Sequence, residues 1–266
     1  MITSQSNARI RHVQNLNKKA GYRKETGLFT IEGIRMFSEL PADRTEEVFV
    51  GKTFFDQCTE ETRRKIEAAP FEMVSDAVFE SMSDTRTPQG ILAVVRQYSY
   101  SFADLLKNRA GHNLLILETI QDPGNLGTMM RAGEGAGLTG IIMDRKTADL
   151  YNPKVIRSTM GSIFRVPFFY ADDLKEAVRS VKNAGITVYA AALDGERAYD
   201  REDYRKPAAF MIGNEAAGLT REMLSLADIR VRIPMKGKVE SLNAAVAASV
   251  LMYELARQRR NDGTEN

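Results

Sequence analysis

The sequence predicts an α/β protein with two parts, a small N-terminal α/β domain and a C-terminal α/β domain built on a parallel sheet. Short apolar runs of strand length alternate with helix-length segments, most regularly in the second half of the chain. Such alternation is typical of parallel sheets covered by helices. The 266 residues, 43% hydrophobic and 27% charged, can form a core in each part. The pattern places the first domain at residues 1–97, a linker at 98–112 and the second domain at 113–266.

The first part contains four predicted strands and fewer helices. The strands lie at residues 28–32, 48–50, 71–74 and 90–95, and the helices at 33–40 and 60–68. A turn-rich segment, residues 83–89, leads into the last strand. In the linker, Ser101 is placed to cap a short helix, because its hydroxyl oxygen can accept a hydrogen bond from a free amide of the first turn.

The second part alternates regularly between strand and helix. Strands are predicted at residues 114–117, 140–143, 186–192, 208–212 and 229–233, with a short extended segment at 164–169. Helices are predicted at 126–135, 153–160, 172–183, 220–227 and 242–259. Ligands of such sheets bind at the carboxyl ends of the strands, so the residues that follow each strand are candidates for a site.

Composition disfavours several classes of protein. The polar first 14 residues lack a signal-peptide core, and no run of about 18 apolar residues occurs. We therefore expect a cytoplasmic protein without a membrane span. Cys58 is the one cysteine, and His12 and His112 lie far apart in the sequence. Because no Cys/His cluster of the kind that binds zinc is present, we expect no metal.

A glycine pattern at residues 135–140 matches the G-x-G-x-x-G signature of dinucleotide-binding proteins. Gly135, Gly137 and Gly140 have the required spacing, but the signature needs a strand before it and a helix after it. Here a predicted helix precedes the glycines and a predicted strand follows them. We interpret them as a helix end and a tight turn, which argues against a nucleotide-binding oxidoreductase.

Positive charge is concentrated at the start of the chain. Residues 1–35 hold seven Lys or Arg against two Glu, a net charge of +5, whereas the whole chain carries +2. Such a patch suits the phosphate backbone of a nucleic acid, and a solvated basic arm is the alternative interpretation. The candidate RNA-binding residues are Arg9, Arg11, Lys18, Lys19, Arg23, Lys24 and Arg35.

Three segments of the second part each follow a predicted strand and combine glycine with polar side chains. The first segment, at residues 122–132, contains Asn125, placed as a helix N-cap, and Arg131 within the helix that follows. Taken alone, these two residues are also explained by an ordinary capped helix with a solvated arginine.

The second segment, at residues 210–219, ends a hydrophobic strand in polar residues. Gly213, Asn214 and Glu215 follow the strand directly, and Gly218 comes three residues later. Glycines let a ligand approach the backbone closely, and Asn and Glu add polar groups beside it. The alternative is a strand-to-helix turn with Thr220 as the helix cap.

The third segment, at residues 233–244, follows the last predicted strand. Pro234 stops ladder pairing after Ile233, and a loop then leads to Ser241, which is predicted to open the long final helix. The start of a helix exposes unpaired N–H groups. Together with Ser241 and Asn243, these donors form a polar rim beside apolar residues.

Together, and in this order, the three segments resemble the motifs of the SpoU (TrmH-like) branch of the SPOUT RNA methyltransferases. The first motif is matched by Asn125, Gly127 and Arg131. The second is matched by Gly213, Asn214, Glu215 and Gly218. The third is matched by Ile233, Pro234, Met235, Gly237, Ser241, Leu242 and Asn243. The resemblance covers about residues 113–260, and residues 6–10 with 27–35 resemble the L30e-like RNA-binding domain that precedes many members.

The resemblance implies a C-terminal domain with a deep trefoil knot, a homodimer, and S-adenosylmethionine (AdoMet) as the methyl donor. Periodicity alone would not predict a knot, since knots are nearly absent among protein folds. The implied cofactor-binding residues are Leu193, Gly213, Asn214, Gly218, Ile233, Met235, Ser241 and Leu242. In the family the arginine of the first motif reaches the site of the other subunit, and Arg131 inherits that role.

The implied reaction is methyl transfer to a ribose 2′-hydroxyl of structured RNA, a weak nucleophile until it loses its proton. The implied catalytic residues are Arg131, Asn125, Glu215, Ser241 and Asn243. Arg131 assists the hydroxyl, although an arginine side chain keeps its proton at physiological pH. It can instead hold a phosphate and orient the ribose, which leaves deprotonation to that phosphate, to Glu215 or to water.

The RNA target is left open by the sequence. The front domain resembles those of ribosomal RNA enzymes, which favours 23S ribosomal RNA over transfer RNA. A non-catalytic RNA-binding ribosome assembly factor is the alternative from another class, and loss of Arg131, Asn214 or the Ser241–Asn243 pair would favour it; all four residues are present. Housekeeping and antibiotic-resistance roles share the same chemistry.

Overall fold

A computed structural model describes residues 1–107 and 111–261, which fall into two units. The first unit comprises Met1–Tyr98 and Asp149–Phe164, and the second comprises Ser99–Ala148 and the chain from Arg165 onward. The sequence places residues 149–164 in the second domain, yet they pack with the first unit. Residues 108–110 of the predicted linker and residues 262–266 of the predicted second domain lie outside the described residues.

The first unit is built around a four-stranded sheet. Its strands up to residue 98 are β1 (Leu28–Glu32), β2 (Thr45–Gly51), β3 (Phe71–Val74) and β4 (Ile91–Arg96). Its helices there are α1 (Ala8–Lys18), α2 (Ala20–Thr26), α3 (Ile34–Glu39), α4 (Lys52–Gln57), α5 (Glu60–Glu67) and α6 (Asp76–Met82), with a 3-10 turn at Ala42–Arg44. The sheet order is β1-β4-β2-β3. Strand β4 is antiparallel to both of its neighbours, and β2 and β3 are parallel.

Helices α1, α2, α4 and α6 were not predicted from the sequence. In α1 the signal is present: the Asn7 side chain caps the helix, and Ile10, Val13 and Leu16 recur on one face. All three are fully buried in the core of this unit against residues of β2, β4 and α6. The other residues of α1 are mostly polar, so the sequence of this segment resembles a solvated basic arm. In the structure, the apolar face of α1 is part of the core.

The second unit contains the remaining elements, except for two short helical segments that pack with the first. Its strands are β5 (Asn113–Leu117), β6 (Gly140–Asp144), β7 (Phe168–Ala171), β8 (Thr187–Ala191), β9 (Arg197–Ala198), β10 (Ala208–Ile212) and β11 (Ile229–Arg232). The helices from residue 99 on are α7 (Phe102–Leu105), α8 (Pro123–Gly135), α9 (Pro153–Thr159), α10 (Leu174–Asn183), α11 (Arg221–Leu226) and α12 (Ala244–Asn261), with 3-10 turns at Ser162–Phe164 and Tyr199–Arg201. Helix α9 and the first of these turns belong to the first unit.

The second sheet has the order β7-β6-β5-β10-β8-β11-β9, and every neighbouring pair is parallel. The carboxyl ends of all seven strands therefore lie at the same edge of the sheet. The segments that lead from β5 to β6 and from β10 to β11 begin at this edge. Strands β5 and β10 are completely buried because helices cover both faces of the sheet. The predicted α/β fold, with a small first unit and a parallel second sheet, is confirmed.

The glycines at 135–140 lie in a helix-to-strand turn, as interpreted. Helix α8 ends at Gly135, Gly137 has a left-handed φ of 73°, and β6 begins at Gly140. Ser101 caps α7 in a reciprocal capping box with Asp104, also as predicted. In the described part of the chain, no helix is both long and apolar enough to cross a membrane.

Candidate active site

A cavity of about 330 Å³ opens at the carboxyl ends of β8, β10 and β11. Its walls come from the stretches that follow these strands and from the start of α12. The lining includes all eight residues predicted to bind the cofactor, Leu193, Gly213, Asn214, Gly218, Ile233, Met235, Ser241 and Leu242. Residues from three separate parts of the sequence meet here because parallel strands present their carboxyl ends at the same edge.

One wall is the loop at residues 213–218, which we call the cofactor loop. The side-chain oxygen of Asn214 accepts hydrogen bonds from the amides of Ala216 (3.0 Å) and Ala217 (3.1 Å), and the Gly218 amide donates to the Asn214 carbonyl (2.8 Å). The loop turns back so tightly that a Cβ on Gly213 would lie 2.2 Å from the backbone of Gly218. The backbone rather than long side chains therefore forms this wall.

A chain of hydrogen bonds joins all three sequence motifs. Asn243 donates through Nδ2 to Oδ1 of Asn125 (2.9 Å), and Asn125 donates through Nδ2 to Oε1 of Glu215 (3.1 Å). The remaining oxygen of Asn243 accepts the amides of Ala245 and Val246. The side chains of Asn125 and Asn243 thus each donate through Nδ2 and accept through Oδ1, which fixes the orientation of their amide planes.

These contacts correct two predicted helix starts. Helix α8 begins at Pro123, and its cap is Asp122, whose side chain accepts the Asn125 amide (2.8 Å). Asn125 therefore lies inside the first turn. Helix α12 begins at Ala244, with Asn243 rather than Ser241 accepting its first amides. Ser241 lines the cavity, and its hydroxyl makes no hydrogen bond within residues 1–107 and 111–261.

The carboxylate of Glu215 organises the first motif. It accepts the amides of Gln121 (3.2 Å) and Asp122 (3.0 Å) in addition to the Asn125 side chain. Partial burial raises the pKa of Glu215, but the hydrogen bonds from Asn125, Asp122 and Gln121 outweigh it and lower the pKa below its usual value. Nδ2 of Asn214 (3.4 Å) is a fourth donor. A carboxylate with four donors and a lowered pKa is a poor proton acceptor, so the geometry favours a positioning role.

Arg131 lies apart from the cavity of its own chain. It is on the exposed side of α8 and makes no hydrogen bond or ion pair with any residue that the structure describes. Six residues separate it from Asn125, which places the two side chains about 120° apart around the helix. The structure therefore joins Asn125, Glu215 and Asn243 in one network but does not bring Arg131 to them.

Comparison with known proteins identifies this arrangement. Residues 112–253 match the SpoU rRNA methylase family, and residues 7–93 match an MRM3-like substrate-binding domain. The chain belongs to the SpoU rRNA methylase family. The predicted recognition, including a separate substrate-binding domain at the front, is confirmed.

Members of the SpoU family resemble the chain over nearly its whole length. It is 32% identical over 259 residues to the 23S rRNA (guanosine(2553)-2′-O)-methyltransferase RlmP of Bacillus subtilis (strain 168), covering 96% of this chain and 98% of that protein. It is 30% identical over 267 residues to the 23S rRNA (uridine(2479)-2′-O)-methyltransferase of Streptomyces viridochromogenes, covering 97% and 92%. The AdoMet-bound rRNA methyltransferase from Sinorhizobium meliloti superposes with a TM-score of 0.83 at 30% identity, covering 96% and 97%.

The lining of the cavity fits AdoMet, the cofactor of this SpoU methyltransferase. Asp194 and Glu215 contribute carboxylates, while no Lys, Arg or His is among the described lining residues. This charge suits a sulfonium cation and disfavours the pyrophosphate of a dinucleotide. In residues 1–107 and 111–261, no group of three or more His, Cys, Asp or Glu side chains is placed to hold a metal ion.

In the first unit of this SpoU protein, the predicted RNA-binding residues have different environments. Arg23 departs from the prediction: it is 3% exposed, donates to the carbonyls of Leu16 and Asn17, and is ion-paired with Asp149 (2.6 Å). Its sequence neighbours are basic and solvated, but its own charge is used inside the protein. A phosphate cannot reach this guanidinium without opening the core.

The other six basic residues are at the surface. Arg9 is ion-paired with Glu47 and with Glu72 (2.7 Å). Within the described residues, Arg11, Lys18, Lys19, Lys24 and Arg35 are exposed and form no ion pair. Arg11 and Lys18 are seven residues apart on α1 and therefore share a face. These five cations remain available to an anionic ligand.

The loop before β4 carries a further exposed cation, Arg86, that sequence reasoning did not select. Glu32 accepts hydrogen bonds from the hydroxyls of Ser83 (2.7 Å) and Thr85 (2.7 Å), which hold this loop against β1. Gln89 accepts the amide of Ile34 (3.0 Å) at the start of α3. The turn residues were recognisable in the sequence, but their attachment to Glu32 requires the strand arrangement.

Replacing Glu215 with glutamine should reduce stability in a pH-dependent way. The lowered pKa of Glu215 means that its carboxylate stabilises the folded state fully above the ordinary value of 4.5 and loses this effect as the pH falls through the lowered pKa. Wild type and Glu215→Gln should therefore differ at pH 7 and converge in acid, measured by urea denaturation at each pH. Glu25→Gln, at an exposed carboxylate of the first unit that forms no ion pair with the described residues, is the control. A difference that persists unchanged below the lowered pKa would contradict the assignment.

Proposed function

We propose that the protein transfers the methyl group of AdoMet to a ribose 2′-hydroxyl of 23S ribosomal RNA in the cytoplasm. The observation that carries this proposal is the cavity, whose described lining contains all eight residues predicted to bind the cofactor and no cationic side chain. Support for the substrate comes from RlmP and the Streptomyces viridochromogenes enzyme, both 23S rRNA 2′-O-methyltransferases that match almost the whole chain. A transfer RNA target is the second candidate, since similar proteins are described as tRNA/rRNA methyltransferases.

The reaction forms an O–CH₃ bond as the S–CH₃ bond breaks, which releases S-adenosylhomocysteine, and the hydroxyl proton passes to the neighbouring phosphate or to water. AdoMet supplies a methyl group that is already electrophilic, so the protein must position and activate the ribose oxygen. Glu215 accepts hydrogen bonds from four donors and has a lowered pKa, so we assign it to holding the first motif. Arg131, whose guanidinium has no partner among the described residues, can hold a phosphate next to the target ribose. Alignment of the hydroxyl with the methyl group provides much of the rate.

The subunit arrangement and the path of the chain are also part of the proposed function. We propose a homodimer in which Arg131 of the partner subunit completes each site, because Arg131 does not line the cavity of its own chain. Val246 (47% exposed) and Tyr253 (49% exposed) leave apolar surface on α12, which packs against α8, the helix that carries Arg131. We also propose that the C-terminal part of the chain forms the trefoil knot of the family.

The first unit is proposed to bind the RNA through its free cations. Reversing the charges of Lys18, Lys19 and Lys24 to glutamate should weaken RNA binding and flatten the salt dependence of log Kd, by about 0.7–0.9 for each phosphate that is no longer neutralised. Binding is measured by fluorescence anisotropy at salt concentrations from about 50 to about 300 mM, because phosphate contacts weaken strongly as salt rises. An unaltered slope would remove these lysines from the interface.

Arg23→Met provides the matched comparison for the charge reversals. It removes one positive charge from the same segment, but this charge is buried and paired with Asp149. The substitution should lower the midpoint of thermal unfolding, because Asp149 and the carbonyls of Leu16 and Asn17 lose the donors that Arg23 supplies. It should leave the salt dependence of log Kd unchanged. A lowered slope for Arg23→Met would contradict the structural role of this arginine.

Ribose-methylation mapping of ribosomal and transfer RNA, from cells with and without the gene, tests the proposed function. One lost 2′-O-methyl mark in 23S rRNA that the purified protein and AdoMet restore would establish it. A lost mark in transfer RNA would replace the substrate. This experiment is needed to identify the target nucleotide, because two relatives with similar sequence identity to this chain are named for different nucleotides, a guanosine and a uridine. No lost mark and no AdoMet binding by calorimetry would favour a non-catalytic RNA-binding protein.

A further inference from the structure

Thr119 adopts a backbone conformation that its side chain disfavours. Its φ is +57°, in the left-handed region, although threonine is branched at Cβ. It lies two residues after the end of β5, between the sheet and the first motif. Such a residue persists only when its surroundings hold it in place, so the groups around Thr119 indicate what the conformation serves.

Asp144 holds Thr119 from the neighbouring strand. Its carboxylate accepts the Thr119 amide (3.0 Å) and the Thr119 hydroxyl (2.7 Å). Strands β5 and β6 are parallel neighbours, with Leu117 opposite Met143, so Asp144 and Thr119 follow adjacent strand ends. Asp144 also accepts the amide and hydroxyl of Thr147, which orient its carboxylate.

The left-handed conformation directs the Thr119 carbonyl toward the second motif. This carbonyl accepts a hydrogen bond from Nδ2 of Asn214 (2.9 Å). The other end of the same side chain accepts the amides of Ala216 and Ala217 and so shapes the cofactor loop. This hydrogen bond is the shorter of the two that Nδ2 of Asn214 donates, the other going to Glu215 (3.4 Å), so the Thr119 carbonyl is the main restraint on that end of the side chain.

We propose that Thr119 and Asp144 are positioning residues that hold the cofactor loop in its binding conformation before AdoMet arrives. Neither residue lines the cavity, and their effect passes through Asn214. The proposal rests on the assignment of this cavity to AdoMet, but its structural half, the ordering of residues 213–218, can be measured without any cofactor.

Two substitutions at Thr119 separate this role from general destabilisation. Thr119→Val keeps the branched shape and removes the hydroxyl bond to Asp144, so the left-handed conformation loses part of its support. Thr119→Gly also removes the hydroxyl but adopts a positive φ without strain. We expect Thr119→Val to raise the AdoMet Kd about tenfold, equivalent to about 1.4 kcal/mol, and Thr119→Gly to remain close to wild type.

Asp144→Ala should raise the AdoMet Kd as Thr119→Val does, and adding Thr119→Gly should recover part of the loss. In the AdoMet-free protein, hydrogen exchange at the amides of Ala216 and Ala217 should accelerate in Thr119→Val and Asp144→Ala but not in Thr119→Gly. Thr147→Val is the control for the remaining hydrogen bonds of Asp144.

The proposal is overturned if Thr119→Gly loses as much affinity and protection as Thr119→Val, or if Thr119→Val changes neither. If wild-type protein fails to bind AdoMet by calorimetry, the cofactor assignment fails instead, and the exchange rates of the loop amides still decide whether Thr119 and Asp144 order the loop. Thermal unfolding of each variant shows that the protein compared is folded.

Discussion

Arg131→Ala is expected to nearly abolish methyl transfer while AdoMet affinity is unchanged. Arg131 is exposed on α8, has no partner among the described residues, and does not line the cavity of its own chain. Its loss therefore removes neither packing nor an interaction with the cofactor. If it holds a phosphate as the hydroxyl oxygen attacks the methyl group, kcat should fall by about 10²–10³-fold, as when other fixed donors of a transition state are removed.

The measurement is single-turnover methylation of the mapped RNA with labelled AdoMet, alongside calorimetry for the cofactor. Arg131→Lys keeps the charge but loses the planar pair of donors, and should recover only a small part of the rate. Thr128→Ala, an exposed position about one turn earlier on the same helix, is the control and should be fully active. Normal turnover by Arg131→Ala would remove this residue from the mechanism.

Mixing two inactive variants tests whether Arg131 acts across the proposed dimer. Asn243→Ala breaks the hydrogen bond to Asn125 and the cap of α12 within its own chain. A mixed dimer of Arg131→Ala and Asn243→Ala subunits has one site with an intact network and an intact Arg131 from the partner. Part of the activity should return on mixing. No recovery, with mixed dimers demonstrated by mass spectrometry, would place Arg131 in its own site.

Gly213→Ala is expected to have the second large effect, the loss of AdoMet binding. The added Cβ would lie 2.2 Å from the Gly218 carbonyl carbon and the Leu219 amide nitrogen, and 2.4 Å from the Gly218 oxygen. All three are backbone atoms, so no side chain can rotate away and the cofactor loop itself must open. We expect the free energy of unfolding to fall by about 1–3 kcal/mol, as for other overpacked sites.

Calorimetry for AdoMet and urea denaturation measure the two effects of Gly213→Ala. Gly237→Ala is the matched control in the third motif, since a Cβ there would meet no atom within 4 Å and the residue has no left-handed φ. It should bind AdoMet normally. Wild-type affinity in Gly213→Ala would show that the loop opens without consequence for the cavity.

The sequence by itself determined the fold class, the parallel sheet and the residues of the cofactor cavity. Short apolar runs specify strands through local chemistry, and the alternation with helices leaves parallel pairing as the usual outcome. Once the strands are parallel, residues that follow β10 and β11, such as Gly213 and Ile233, must meet at one edge. The motif residues predicted the cavity for this reason, although they lie far apart in the chain.

Only the tertiary structure decided what individual polar side chains do. Arg23 and Lys24 are adjacent basic residues, yet one is buried against Asp149, 126 positions later, while the other is solvated. The sequence offers Glu215 as a candidate base, whereas in the fold its oxygens accept the amides of Gln121 and Asp122. Nothing in the sequence near Thr119 signals its left-handed φ, which depends on Asp144 of the next strand. Local patterns fix elements because their causes lie within a few residues, whereas hydrogen-bond partners depend on which elements the fold makes neighbours.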